Sequence, residues 1–127
     1  MSGTGDRVIR AALWASVPLN ALGVAVFLPE ALGRPSALLP VHLPRFYAAQ
    51  IMLIIGLFGF VYGWLARQPR IDRPLVVVGA LGKLGFFLLF VLYAAAGDLP
   101  WSAAAQASPD LILATAYLWW ASRPLAA

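Results

Sequence analysis

Apolar residues come in four long runs along this chain, and the prolines and most of the charges gather between them. A bilayer-spanning helix takes about 20 predominantly apolar residues, and the runs predict helices over 8–29, 45–67, 74–96 and 109–123. The first follows the polar MSGTGDRVIR and stays apolar from Ala11 to Leu28. That is longer than the roughly 7–15-residue core of a secretory signal, so it reads as a first crossing. Pro18 loosens it, because a backbone donor is missing there. The second run, FYAAQIMLIIGLFGFVYGWLA, is framed by Arg45 and Arg67 and carries tyrosine and tryptophan near its ends, where such rings anchor at the interface. The third, Pro74 to Ala96, stops at Gly97-Asp98-Leu99-Pro100.

The segments between the runs predict how the helices connect. Pro29 to Pro44 holds four prolines with Glu30, Arg34 and His42, and its apolar patches suit a loop lying on the membrane surface. The short link from Arg67 to Pro74 makes the second and third helices an antiparallel hairpin. Gly56, Gly59 and Gly63 share one face of the second helix, and Gly79, Gly82 and Gly85 share one face of the third. Small residues let membrane helices approach closely, so these two faces meet each other or meet another protomer. For the last run, Ser108-Pro109-Asp110 fits a cap, a first position and an acidic first turn. The alternative is one helix from Trp101 to Ser122 kinked at Pro109. A helix starting at Pro109 is only roughly 20 Å long, so Ser102 to Ala107 is expected to fold over or dip into the remaining gap.

Composition narrows the class. Of 127 residues 62% are hydrophobic and only 11% charged, against roughly 25% charged in soluble domains. The expected fold is all-α, a single integral membrane four-helix up-down bundle. The net charge of +4 could suggest nucleic acid, but the arginines stand singly at the ends of apolar runs without forming a basic stripe, and no nucleic-acid partner is expected. Arg7, Arg10, Arg67, Arg70, Arg73 and Arg123 fall on one side and Arg34 and Arg45 on the other, so the positive-inside rule places both termini in the cytoplasm. The absence of cysteine closes thiolate catalysis and thiolate metal ligation.

Chemistry enters through Lys83, a cation in the middle of the third apolar run. An ammonium near the centre of a bilayer is costly and calls for a partner, a cavity or a function. By helix rise it lies roughly 13 Å from the cytoplasmic edge, Asn20 roughly 15 Å and Asp110 roughly 20 Å. Lys83, Asp110 and Asn20 lie on helix stripes which, if they face one another, make a buried polar site. Each residue also has a structural reading: a paired or snorkelling lysine, a helix-start carboxylate, and an asparagine that glues helices. Gln50 is expected near the outer edge, and His42 to be a lone solvated or interfacial histidine. The five tryptophans read first as interfacial anchors. No nucleophile–base set, phosphate loop or metal-ligand cluster stands in the sequence, so neither enzymatic activity nor a cofactor or metal is expected.

A chain of this length with Gly79-Ala80-Leu81-Gly82-Lys83 inside a span and Asp110 in its last helix resembles the small DoxX-like families of the bacterial inner membrane. That resemblance implies a four-helix bundle and, for some members, association with membrane redox systems; it carries no catalytic residue. The leading functional expectation is a multi-pass bundle-forming subunit or accessory component, whose partners are the lipid bilayer and either further copies or other membrane-protein subunits. The alternative is a small-molecule or proton-coupled transporter with a midplane Lys83/Asp110 site.

Overall fold

The computed structural model describes residues 3–125. Those residues form five helices and no strand: α1 (Thr4–Ala31), α2 (Arg45–Arg67), α3 (Arg73–Ala95), α4 (Trp101–Gln106) and α5 (Ser108–Ser122). Among the described residues, α1, α2 and α3 are long and apolar enough to cross a membrane.

The ends of these helices follow from local chemistry. Both α1 and α3 stop at a glycine in the left-handed region, Gly33 at φ 80° and Gly97 at φ 86°. The following N–H groups turn back onto the last carbonyls, Arg34 to Pro29 and Asp98 to Tyr93, with Gly33 bonding Glu30 and Gly97 bonding Ala94. This six-to-one and five-to-two pairing satisfies helix carbonyls that would otherwise be left without donors. Asp72 starts α3 by accepting from the Leu75 N–H at 3.0 Å, just ahead of Pro74 in the first turn.

The last run differs from the preferred expectation. Ser108 makes no side-chain cap; it is already helical, and the residue before it, Ala107, also has helical dihedrals. Ser102 to Gln106 belong to the short α4, and the Ala107 N–H bonds the carbonyls of Ala103 and Ala104. The chain is therefore wound almost continuously from Trp101 to Ser122, with one break at Ala107. The break has a plain cause: Pro109 has no N–H to give to the preceding turn. By rise, the 15 residues of α5 make roughly 22 Å, and α4 precedes it as a separate short helix.

Packing also departs from expectation. The glycine face of α2 turns to α1 instead of α3. A Cβ at Gly59 would stand 3.0 Å from the Asn20 Cβ, one at Gly63 3.5 Å from Val17, and one at Gly56 3.6 Å from Val24. From the other side, a Cβ at Gly23 would stand 3.0 Å from Ile55. The two backbones thus approach across small residues from both helices. α3 packs mainly on α5, and α1 also touches α5, whereas α2 and α3 meet little despite their short link. Their meeting point is aromatic on glycine, with Tyr62 against Gly79 and Phe58 against Gly82.

The main buried cluster lies toward the arginine-rich end, where Ile9, Leu13, Leu65, Val76, Tyr117 and Trp120 come together. Arginines close that end by donating to helix carbonyls: Arg10 to Ala66 at 2.8 Å and to Pro69 at 3.1 Å, and Arg73 to Ala121 at 2.6 Å. Trp120 is not an interfacial anchor. It is buried, donates its indole N–H to Asp6 at 3.2 Å, and carries the Arg73 guanidinium over its ring at 5.0 Å. Trp14, Trp64, Trp101 and Trp119 are exposed, as anchors require.

Candidate functional site: a buried ion pair beneath an apolar cavity

Four helices each contribute one residue to a polar cluster in the interior. From α3, Lys83 Nζ donates to Asp110 Oδ1 of α5 at 2.9 Å and, at a longer 3.4 Å, to Asn20 Oδ1 of α1. From α2, the Tyr62 ring lies under the ammonium with its centroid 4.8 Å away. The Lys83 side chain is 4% exposed and that of Asp110 18%. Opposite charges at this separation attract strongly in an apolar surrounding, and the aromatic face adds attraction for the cation. Asp110 also sits in the first turn of α5, where the helix dipole favours a carboxylate. Asn20 serves two helices at once. Its Nδ2 donates to the Ile55 carbonyl of α2 at 2.9 Å while its Oδ1 faces Lys83, so the gluing role and the polar-site role coexist. The structure brings all three residues singled out in the sequence together; Gln50 stands apart and exposed.

Immediately toward the arginine-rich end, the site is closed by a tyrosine layer. Tyr117 and Ser16 share a hydrogen bond, the Ser16 hydroxyl also reaches the Ala12 carbonyl at 2.8 Å, and Tyr62 donates to the Gly79 carbonyl at 3.4 Å. The two tyrosine rings meet edge-to-face with centroids 5.7 Å apart. Sequence reasoning missed Tyr62. Its place near the end of α2 suggested an anchor, yet it is 2% exposed. The available signal was the glycine at Gly79, which marks a place where a large neighbour fits.

On the opposite side of the pair, the interior opens. A cavity of about 480 Å³ lies between α2 and α3, backed by α1 and roofed by α4 and the α1–α2 loop. Its walls are apolar, including Val26, Phe27, Phe58, Phe86 and Phe90, while Lys83, Asp110, Asn20 and Gln106 are its polar contributors. The volume lies within the roughly 300–1,000 Å³ usual for small-molecule sites.

The loop that roofs this cavity at Leu38, Leu39 and Pro40 is held by an interaction not anticipated from the sequence. Glu30, one residue beyond the apolar run, is 5% exposed; its Oε1 accepts from the Ser36 N–H at 3.0 Å and meets His42 Nδ1 at 2.9 Å. His42 keeps its ring 71% exposed, in line with a solvated histidine, and in addition pairs with Glu30. The hydrogen bond from His42, and then that from Ser36, hold the Glu30 carboxyl below its ordinary range. A depressed carboxylate contributes stability that is present above its unfolded value, about 4.3, and is lost as the pH falls through its lower folded value. A spin label at Leu38 should therefore be immobile at neutral pH and gain mobility on acidification below about pH 4. In Glu30→Ala it should be mobile at both, and a label in the native chain indifferent to acid would refute the strap.

Comparison with known proteins found no matching family model, no matching curated protein and no matching solved structure.

Proposed function

We propose that this chain is a small multi-pass protein of a bacterial inner membrane which holds a lipid-soluble small molecule inside its helical bundle. In this reading α1, α2, α3 and the α4–α5 unit are four crossings, with both termini on the cytoplasmic side where Arg7, Arg10, Arg67, Arg70, Arg73 and Arg123 gather. The observation that carries it is the cavity that reaches a buried Lys83–Asp110 pair. A purely structural ion pair has no need of open space on one side. Intramembrane charges that face a cavity commonly mark binding sites, and apolar pockets with a few convergent polar groups are the usual form of small-molecule sites.

The cavity lies on the loop side of the ion pair, with the exposed Leu22, Leu38 and Ile54 at its rim, whereas the Tyr62–Tyr117–Ser16 layer closes the arginine-rich end. The geometry therefore favours binding from one side; transport would require that layer to separate. The accessory-subunit reading has its own support in a groove between α1 and α2, where Gly56 and Gly63 lie beside Trp14 and Trp64. A partner helix seated there would leave the cavity free, so the two roles are compatible.

Native mass spectrometry of the chain released from lipid nanodiscs tests the binding role. A bound non-protein mass should survive exchange into a different lipid and be diminished in Gly82→Leu, whose longer side chain fills cavity space. A Cβ at that position meets Phe58 at an ordinary 3.8 Å, and an unchanged thermal unfolding transition for Gly82→Leu checks that the fold is kept. Identical adducts on both proteins would overturn the reading.

A further inference from the structure

We infer that the occupant is a single-chain amphiphile drawn from the bilayer, with an uncharged head that both donates and accepts a hydrogen bond, as a hydroxyl does. This rests on the ligand-binding role proposed above and names its substrate class.

The charge of the site selects the head. Lys83 and Asp110 neutralise each other at 2.9 Å, and among the described residues no other charged side chain lines the cavity. An anionic head that accepted from the ammonium would lie beside the Asp110 carboxylate, and a cationic head that donated to Asp110 would lie beside the Lys83 ammonium. Both place like charges together in an apolar surrounding, where the repulsion is poorly screened. A neutral head meets no such penalty.

The unused hydrogen-bonding capacity selects its chemistry. Asp110 uses Oδ1 for Lys83, and among the described residues no donor reaches Oδ2. A carboxylate has acceptor sites on both oxygens, and an ammonium has three protons. The Lys83–Asn20 contact at 3.4 Å is long for a charged donor, for which about 2.7–2.9 Å is usual, so a better-placed acceptor would take that proton. A hydroxyl between the two can give its proton to Asp110 Oδ2 and receive one from Lys83 Nζ. Gln106, at the cavity's edge, offers an amide with both functions for a second hydroxyl.

The walls and rim select the tail and its origin. From the pair outward the lining is aliphatic and aromatic, ending at Phe86 and Phe90 of α3. At the rim Leu22, Leu38 and Ile54 are between 55% and 60% exposed, so the opening is bordered by side chains suited to lipid. A chain laid along this surface stays in apolar contact from the bilayer to the ion pair.

The test uses the full chain in nanodiscs with two photoreactive probes that carry a diazirine in the same acyl chain, a monoacylglycerol and a fatty acid. Peptide mapping should place the monoacylglycerol label on Phe86, Phe90 or Leu39 well above its level on the lipid-facing Leu53 and Leu57. Unlabelled monoacylglycerol should compete, and oleate should not. Lys83→Met should weaken competition by about tenfold, the scale of one lost charge-assisted hydrogen bond. Gly82→Leu, which leaves the pair intact, should abolish cavity labelling while leaving Leu53 and Leu57 labelled. If the fatty-acid probe labels the cavity as strongly as the monoacylglycerol or more so, the neutral-head assignment is wrong while the binding role stands. If neither probe labels the cavity above the lipid-facing level, and native mass spectrometry shows no cavity-dependent adduct, both are overturned.

Discussion

Lys83→Met and Asp110→Asn are each expected to lower the stability of the folded chain by about 3–5 kcal/mol, and the double replacement should recover much of that loss. The reason lies in what each single change leaves behind. Removing Asp110's charge strands an ammonium that is 4% exposed, with the long Asn20 contact and the Tyr62 face as its remaining partners. Removing Lys83 strands a carboxylate that is 18% exposed, stands beside open cavity space and sits at a helix start. The asparagine change should therefore be the more damaging of the two. When both charges are gone, Met and Asn leave an uncharged interior of similar volume, and no ion has to be kept out of water. A double-mutant cycle measured by reversible unfolding in lipid or mild detergent reads this directly. Additive effects would show that the pair is uncoupled, and a larger loss from Lys83→Met would show that Asp110 is the more fully desolvated partner.

The site was legible in the sequence because a charge inside a long apolar run has few places to go. Helix rise alone placed Lys83, Asn20 and Asp110 at depths a lysine stem can bridge, and Pro74 and Gly97 marked the two ends of α3. What remained hidden depended on rotation of helices about their axes. In a membrane helix both lipid-facing and core-facing residues are apolar, so the pattern that reports orientation in a soluble helix is faint. A glycine face signals close approach without naming its partner, and α2 gave its glycines to α1. Tyr62 and Trp120 illustrate the same difficulty, since a ring near a helix end is compatible with the interface or with the interior until its neighbours are known. The Glu30–His42 contact joins a helix end to a loop across a left-handed turn, a relation with no periodicity to betray it. Pro109 announced a break but not its character, because helical residues on both sides could still stack with a single interruption at Ala107.

The glycines of α3 should separate sharply when each is changed to alanine, although they share one face and look equivalent in sequence. A Cβ at Gly79 would lie 2.8 Å from Tyr62 Cε1 and 3.6 Å from Tyr117 Cε2. Neither ring can yield easily: Tyr62 is 2% exposed, Tyr117 is fully buried, and the two pack edge-to-face. Overfilling such a point costs about 1–3 kcal/mol, so Gly79→Ala should destabilise by that amount. The displaced ring should also move away from the Lys83 ammonium it now underlies. At Gly85 nothing stands within 4 Å of an added Cβ, so Gly85→Ala should be neutral or gain up to about 1 kcal/mol from helix propensity. Trimming the obstructing ring distinguishes packing from a backbone effect. If the clash is the cause, Gly79→Ala combined with Tyr62→Leu should lose clearly less than the two single changes added together, as measured by the same unfolding assay. Strict additivity, or equal behaviour of Gly79→Ala and Gly85→Ala, would mean that Tyr62 does not seat against α3 as described and that the tyrosine layer beneath the ion pair is not closed.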